Sequence, residues 1–491
     1  MISMPTTPAQ TNAVQPQYEM TTEDKTRIKL IADNWQAING DLAPPLQKMP
    51  NGTDPNVCPN RCGPIVDRGV DALFGKPLGI MIGEDDPSAA QDFLELCWGL
   101  NEARLPLLQE VAYNGAAAFR AFLRIVPNTQ GTKFRLIPVD PSIVSVKYAP
   151  QDCETVLLYH LEYSVMEKIN GKIQQVFYCE EMQRLDPDGN ALKSMPDDDD
   201  TWEIQHWTRV GDTGAWTPAG KPIAWNYNFA PLFSCKNLPK PNDFWGNADI
   251  TPSLIGMNNA LNLSLSCSNL VQILYGQPII AASGVSESSI DIKPGKIIGL
   301  PTDTSKIWAV TITSDLANSI AFAGDLRSDM DEQSSVPAVV MGRMSVLPRG
   351  QLSGVTMELM FMPLTMKNEK KKCLYGKLII DVSMALLVLG KFSPDIKVSL
   401  KWQTFLPNDD LAAVQAAQGK QALGVSNGTL ISELGYNPEE EMDLNDAENE
   451  KAIAKAQALN PVAPVPGQAP ATVGQPAPVK PVSPFIGGQQ P

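Results

Sequence analysis

Between Asp249 and Gly354 the hydrophobic period switches from helical to alternating and back. This stretch must therefore fold as a helix, a short β-rich excursion, a second helix and a loop between glycines. Asp249–Tyr275 is broken only by Gly256 and by Pro252 near its start, where proline is tolerated. Ile250, Leu254, Met257 and Leu261 recur at helical spacing and predict one apolar stripe. In Gln277–Ile312 the runs Pro278-Ile279-Ile280, Lys296-Ile297-Ile298 and Ile307-Trp308-Ala309-Val310 lie between Gly, Pro and Ser clusters. That pattern predicts short strands and turns. A second helix is expected from Thr313/Ser314, with Asp315 in its first turn, fading near Ser334-Ser335-Val336-Pro337. Met341–Gly354 carries Gly342, Pro348, Gly350 and Gly354 and is too broken for either regular structure.

With 491 residues the chain can bury a large core in more than one domain. Its net charge of −15 argues against a tight phosphate-gripping protein, because such binding draws on clustered cations. A conduit through which DNA slides is compatible with that charge, since sticky cations would slow the passenger. The eight cysteines are scattered, and Cys58-x-x-x-Cys62 has no second pair to complete a zinc site. Free thiols in a reducing compartment are expected. Met1-Ile2-Ser3-Met4-Pro5 lacks the basic and apolar regions of a signal peptide, and Leu378–Leu389 contains Asp381 and is too short to span a bilayer.

Residues 1–20 are rich in Pro, Gln and Thr and read as disordered. Thr21–Ala37 predicts a helix capped by Thr22, with Ile28, Ile31 and Trp35 on one face. Asn60–Phe74, Ser88–Gly99 and Arg104–Asn114 are further helices, with Leu78–Ile82 a strand and Gly115 an interruption before extended Ala118–Val126. A β-rich region follows, with strands expected at Phe134–Pro138, Ile143–Tyr148, Thr155–Tyr163, Gln174–Cys179, Trp202–Trp207 and Ile223–Asn226. A long helix is expected over Val355–Leu389, kinked at Pro363 and carrying the basic run Lys367–Lys372. Ile396–Trp402 reads as a strand, and Asp409–Leu423, Thr429–Leu434 and Pro438–Gln457 as helices. From Asn460 the composition cannot pack a core.

No catalytic, cofactor-binding or metal-binding residues are expected from the motifs in the chain. His160 and His206 fall on expected strands and read as structural histidines. Gly424-Val425-Ser426-Asn427-Gly428 matches the nucleophile-elbow pattern, but a helix precedes it and both histidines lie upstream. Ser426 or Asn427 reads instead as the cap of the next helix. There is no P-loop. Asp186-x-Asp188-x-Asn190 half-resembles a calcium loop but has Ala191 where the turn glycine belongs, so Leu185–Gly189 reads as a hairpin turn. Asp197–Asp200 reads as a solvated loop.

Two features stay open between readings. Asp325, Asp329 and Glu332, with Asp315 upstream, put carboxylates on one helix face. That face is either merely solvated or the acidic wall of a channel. Met341–Gly354 mixes Met341, Met344, Val346 and Leu347 with Arg343 and Arg349, and is either a loop buried under other elements or an exposed working loop.

Six stretches in order resemble the portal proteins of tailed bacteriophages, the head–tail connectors, most of all those of long-tailed, headful-packaging phages. They are Asn60–Gly75 with Lys76-Pro77; Ala112–Gly115 with Phe119–Val126 and Leu136–Pro141; Pro231–Leu238; Gly246–Ile250 with Asn258–Leu270; Gly350–Gly354 before Val355–Lys372; and Gly424–Ser432. The chain departs from the pattern at Asn269, where many relatives carry an acid, and in its Pro-rich tail.

The resemblance implies an α+β portal-type subunit. Its parts would be a wing over 21–248, stem helices over 249–275 and 313–335, a small β clip over 276–312 and a tunnel loop over 336–354. A long kinked helix and wing strand over 355–405 and a helical crown over 406–459 would follow, between disordered termini 1–20 and 460–491. It further implies a homo-oligomeric ring, most often of twelve, at one capsid vertex of a virion assembled in the host cytoplasm. Its partners would be the packaging ATPase (the terminase large subunit), connector or adaptor proteins, major capsid and scaffolding proteins, and double-stranded DNA as a non-specific passenger, with no membrane and no cofactor. Asp315, Asp325, Asp329 and Glu332 would line the channel, and Arg343, Met344, Val346, Leu347 and Arg349 would form the tunnel loop. The competing readings are a monomeric capsid adaptor or scaffold-binding protein, and a serine hydrolase using Ser426.

Overall fold

The computed structural model describes residues 15–403, apart from 51, 84–86, 100, 129–132, 170, 277–279, 284–303, 305, 310–315 and 344–353, and then residues 410–433, 441, 442, 444, 445 and 451. The chain divides into two compact units at Pro407. The helices and antiparallel sheets place it in the α+β class.

The first unit starts with α1 (Thr22–Asn39), α2 (Cys62–Phe74), β1 (Gly79–Ile82), α3 (Ser88–Trp98) and α4 (Asn101–Ala118). The cap of α1 is Thr21, one residue earlier than expected, because its hydroxyl accepts from the Asp24 N–H and the Asp24 carboxylate accepts from the Thr21 N–H, closing a capping box. Gly115 does not interrupt α4. A Cβ at Gly115 would lie 2.0 Å from the Tyr375 hydroxyl, so the glycine serves a close approach rather than a break.

The β-rich region forms two sheets. β2 (Arg120–Pro127) pairs with β3 (Phe134–Val139) and with β10 (Leu232–Lys236), a strand that the periodicity missed. The larger sheet runs β4 (Val144–Ala149), β5 (Asp152–Ile169), β6 (Lys172–Leu185), β7 (Thr201–Val210) and β8 (Thr217–Pro218), and β9 (Ile223–Trp225) also pairs with β7. β5 and β6 extend well beyond their expected ends as a ribbon in register from Leu158↔Gln183 to Ile169↔Lys172. Asp186 accepts from the Asn190 N–H at 2.7 Å in a tight turn, as expected. Asp200 departs from the solvated-loop reading: it is buried and sits 3.4 Å from Arg184, because a buried carboxylate needs a paired cation.

The remaining elements of this unit are α5 (Pro252–Gly276), β11 (Ile280–Ser283), β12 (Lys306–Ala309), α6 (Leu316–Ser334), α7 (Gly354–Leu389) and β13 (Val398–Lys401). α7 is continuous on both sides of Pro363. β13 pairs antiparallel with β1, with Gly79 opposite Lys401. One core gathers Phe74, Leu94, Trp98, Leu108, Leu254, Leu261 and the inner face of α7, and a second fills the space under the larger sheet around Phe122, Tyr159, Met182 and Trp202. All eight cysteines are free. No described helix is long and apolar enough to cross a membrane.

The second unit holds α8 (Asp410–Ala422) and α9 (Asn427–Glu433). Ser426 accepts from the Thr429 N–H at 3.4 Å, which is the capping role and not that of a nucleophile on a strand–helix elbow. The Pro438–Gln457 helix and the Pro-rich tail lie almost wholly outside the described residues.

Candidate functional site

Thr251 caps α5 by accepting from the Leu254 N–H at 3.3 Å, and Pro252 follows at the first helical position. At about 1.5 Å per residue, α5 reaches about 38 Å and α6 about 28 Å. Ser253, at the start of α5, donates to Gln333, at the end of α6, at 3.4 Å. The two helices are thus antiparallel neighbours, and the antiparallel β11–β12 pair lies in the connection between them.

Their packed faces differ in chemistry. α6 buries Ala323, Leu326 and Met330, spaced three and four apart. α5 buries a mixed stripe of Leu254, Asn258, Leu261, Asn262 and Ser266. Its polar members hold the loop before α2. Asn258 accepts from the Arg61 N–H at 3.1 Å and Ser266 from the Val57 N–H at 2.9 Å, while Asn269 donates to the Pro55 carbonyl at 2.9 Å. An acid at position 269 could not make that last bond when ionised, which accounts locally for the asparagine.

One end of the helix pair is clamped by two buried charge clusters. Asp249 meets Lys367 at 2.8 Å and Lys371 at 2.5 Å. Burial opposes ionisation of Asp249, but the two ammonium groups outweigh it and hold the carboxyl well below the usual carboxylate range. Burial in turn lowers the Lys371 ammonium. Lys367 also donates to the Ser334 carbonyl at 2.9 Å, so a single α7 cation touches the start of α5 and the last turn of α6. In the second cluster Asp331 pairs with Arg61 at 2.6 Å and with Arg343. Sequence spacing missed both clusters. Nothing in the spacing of the basic run Lys367–Lys372 or of the acids around Asp331 points to these pairings, yet Lys367, Lys371 and Asp331 turn inward onto partners far along the chain.

Asp325, Asp329 and Glu332 are exposed and share the outer face of α6. Arg343, the first cation of the mixed loop, is half-buried against Asp331. Asp315, Met344, Val346, Leu347 and Arg349 lie outside the described residues. The arrangement is a rigid pair of helices, clamped at one end, bearing a β hairpin toward the other and a row of carboxylates along one side.

A family model described as "Phage portal protein, SPP1 Gp6-like" matches residues 21–455. No curated protein matches the chain. Two of the solved structures that resemble it are of particle necks. One is described as "Neck of native GTA particle computed with C12 symmetry", with a TM-score of 0.37, 12% identity and coverage of 77% of this chain and 91% of that one. The other, "Neck of empty GTA particle computed with C6 symmetry", has a TM-score of 0.39, 13% identity and coverage of 76% and 89%.

Proposed function

The chain belongs to the SPP1 Gp6-like family of phage portal proteins, and from that premise we propose that copies of it close into a twelve-membered ring through which double-stranded DNA is packaged and ejected. Membership makes it a structural component of the phage capsid, with a portal or connector role. In the proposed ring α5 and α6 are the stem, residues 276–312 the clip and residues 336–354 the tunnel loop. Residues 406–459 are the crown, and 21–248 with 355–405 the wing. The clip meets the terminase large subunit during packaging and a connector protein afterwards. The outer parts meet capsid and scaffolding proteins while the particle assembles in the host cytoplasm.

The observation that carries this reading is the outer face of α6. Asp325, Asp329 and Glu332 stay exposed while Asp331, in the same helical turns, is buried and paired. Turned toward the channel, that carboxylate row repels phosphate and keeps DNA out of a deep binding well. Asp315 extends the same wall. Arg343 anchors the root of the tunnel loop at Asp331, and Met344, Val346, Leu347 and Arg349 touch the duplex transiently.

Two experiments test the reading. Negative-stain images of the purified chain are expected to show rings with a central hole. Monomers that persist at high concentration would leave the adaptor role in its place. Asp325→Lys combined with Asp329→Lys is expected to slow packaging severalfold at low salt and less at high salt, since screening shortens from about 10 Å at 0.1 M to about 3 Å at 1 M. Packaging that is unchanged at both salt concentrations rules out the acidic wall.

A further inference from the structure

The larger sheet buries a polar cluster away from the helix pair. His160 on β5 and Cys179 and Glu181 on β6 are each nearly sealed from solvent, at 3%, 2% and 2% exposure. Register explains the grouping. His160 stands opposite Glu181, and Glu162 opposite Cys179, so all four side chains leave the same face of the ribbon. His160 Nδ1 lies 3.0 Å from Glu181 Oε1 and 3.6 Å from Cys179 Sγ. The three donor atoms all fall within 4.8 Å of one another, the one such grouping of histidine, cysteine and carboxylate donors among the described residues.

Two of these separations lie close to the edges of a small coordination polyhedron. Bonds of about 2.3 Å to sulfur and about 2.0–2.1 Å to nitrogen and oxygen give tetrahedral edges of about 3.6 Å for S···N and about 3.3 Å for N···O. The S···N edge is already met, and the N···O edge needs to open by only a few tenths of an ångström. The surroundings are those of an outer coordination shell. Glu162 lies 3.5 Å from His160 Nε2, the nitrogen turned away from the cluster, and is itself held by Arg209 at 3.4 Å. A carboxylate in that place holds a proton on Nε2 and leaves Nδ1 as the nitrogen that faces the cluster. Glu181 is oriented from the other side by the backbone N–H groups of Gln17 and Tyr18, each at 2.8 Å, and the Tyr18 ring stacks on His160 with centroids 5.2 Å apart.

We propose that His160, Cys179 and Glu181 form a zinc site that staples the strap at Gln17–Tyr18 onto the larger sheet. The donor set of one thiolate, one imidazole and one carboxylate suits a borderline-soft divalent ion, and zinc accepts three such ligands with water in the fourth position. The two negative ligands balance the dication, so the buried centre carries no net charge. The Cys179 proton, and the Nδ1 proton that faces the Glu181 carboxylate, pass to solvent as the metal binds. No sequence pattern announced the site, because its ligands come from neighbouring strands rather than from a short C-x-x-C or H-x-x-x-H spacing.

The test uses the full chain, stripped with a chelator and reloaded with zinc or cobalt(II). One zinc per chain is expected by elemental analysis, together with a thiolate-to-cobalt charge-transfer band and a higher melting temperature on loading. Cys179→Ala should abolish the band and the bound zinc, whereas replacing the exposed Cys58, Cys267 and Cys373 together by serine should leave both intact. Should Cys179→Ala fold poorly, Glu162→Gln decides: retained stoichiometry with about 10–100-fold weaker affinity supports the site. Failure of the wild-type chain to hold zinc, a band unaffected by Cys179→Ala, or unchanged affinity in Glu162→Gln overturns it.

Discussion

Asp249→Ala is expected to destabilise the first unit by about 3–5 kcal/mol in chemical denaturation, the range for removing one partner of a buried ion pair. The carboxylate serves two ammonium groups, and Lys371 is 1% exposed, so the variant leaves a Lys371 cation that water does not reach. Adding Lys371→Met should return part of the loss, because it deletes one orphaned charge and keeps the methylene packing. A cost below about 1 kcal/mol for Asp249→Ala would mean that the cluster behaves as a surface pair. The pH dependence has a definite sign. The folded Asp249 carboxyl titrates below its unfolded value of about 3.9. Its contribution is therefore complete at neutral pH and drains away as pH falls below about 4 toward the folded value. In Asp249→Ala that component of acid sensitivity should disappear.

Gly115→Ala should cost about 1–3 kcal/mol through overpacking. The added methyl would sit 2.0 Å from the Tyr375 hydroxyl and 3.3 Å from the Ala121 side chain. Neither neighbour is free to yield. Tyr375 is 1% exposed and its hydroxyl donates to Asn237 at 3.1 Å, while Ala121 belongs to the central strand of its sheet. Tyr375→Phe alone should cost about 1–3 kcal/mol, because it leaves the buried Asn237 oxygen without that donor. It also removes the atom that the methyl strikes. The double variant should therefore be less destabilised than the sum of the singles, a coupling that thermal or urea unfolding can measure. Simple additivity would show that the hydroxyl is not the obstacle.

These two positions mark where local reading stops. The helices on either side of the β-rich excursion were legible, because their apolar residues keep the helical period and their ends carry Thr251-Pro252 and Ser335-Val336-Pro337. The turn at Asp186–Asn190 and the cap at Ser426 were legible for the same reason: partner and signal lie within a few residues. Gly115 was misread because its meaning comes from a tyrosine 260 positions later, and propensity knows only neighbours. Asp200 reads as part of a solvated loop and Asp331 carries no signal of its own, since carboxylates look alike until their cations are placed. β10 was missed because Leu232–Lys236 is short and its pairing with β2 is what makes it a strand. In the candidate site, the exposed row Asp325, Asp329 and Glu332 follows from helical spacing alone, whereas the clamps that hold the helix pair need the tertiary fold.

The pairing of β1 with β13 has a kinetic consequence. Gly79 and Lys401 are opposite one another in the sheet but 322 positions apart in the chain. At about 5–20 residues per second, the ribosome delivers the second strand on the order of tens of seconds after the first. For most of that interval α2, α3 and β1 have neither α7 nor β13 to cover their apolar surface. So non-local a closure forms late and slowly. The nascent chain must wait with its core half open, and this is the period in which it depends most on chaperones and in which a premature stop does the greatest harm.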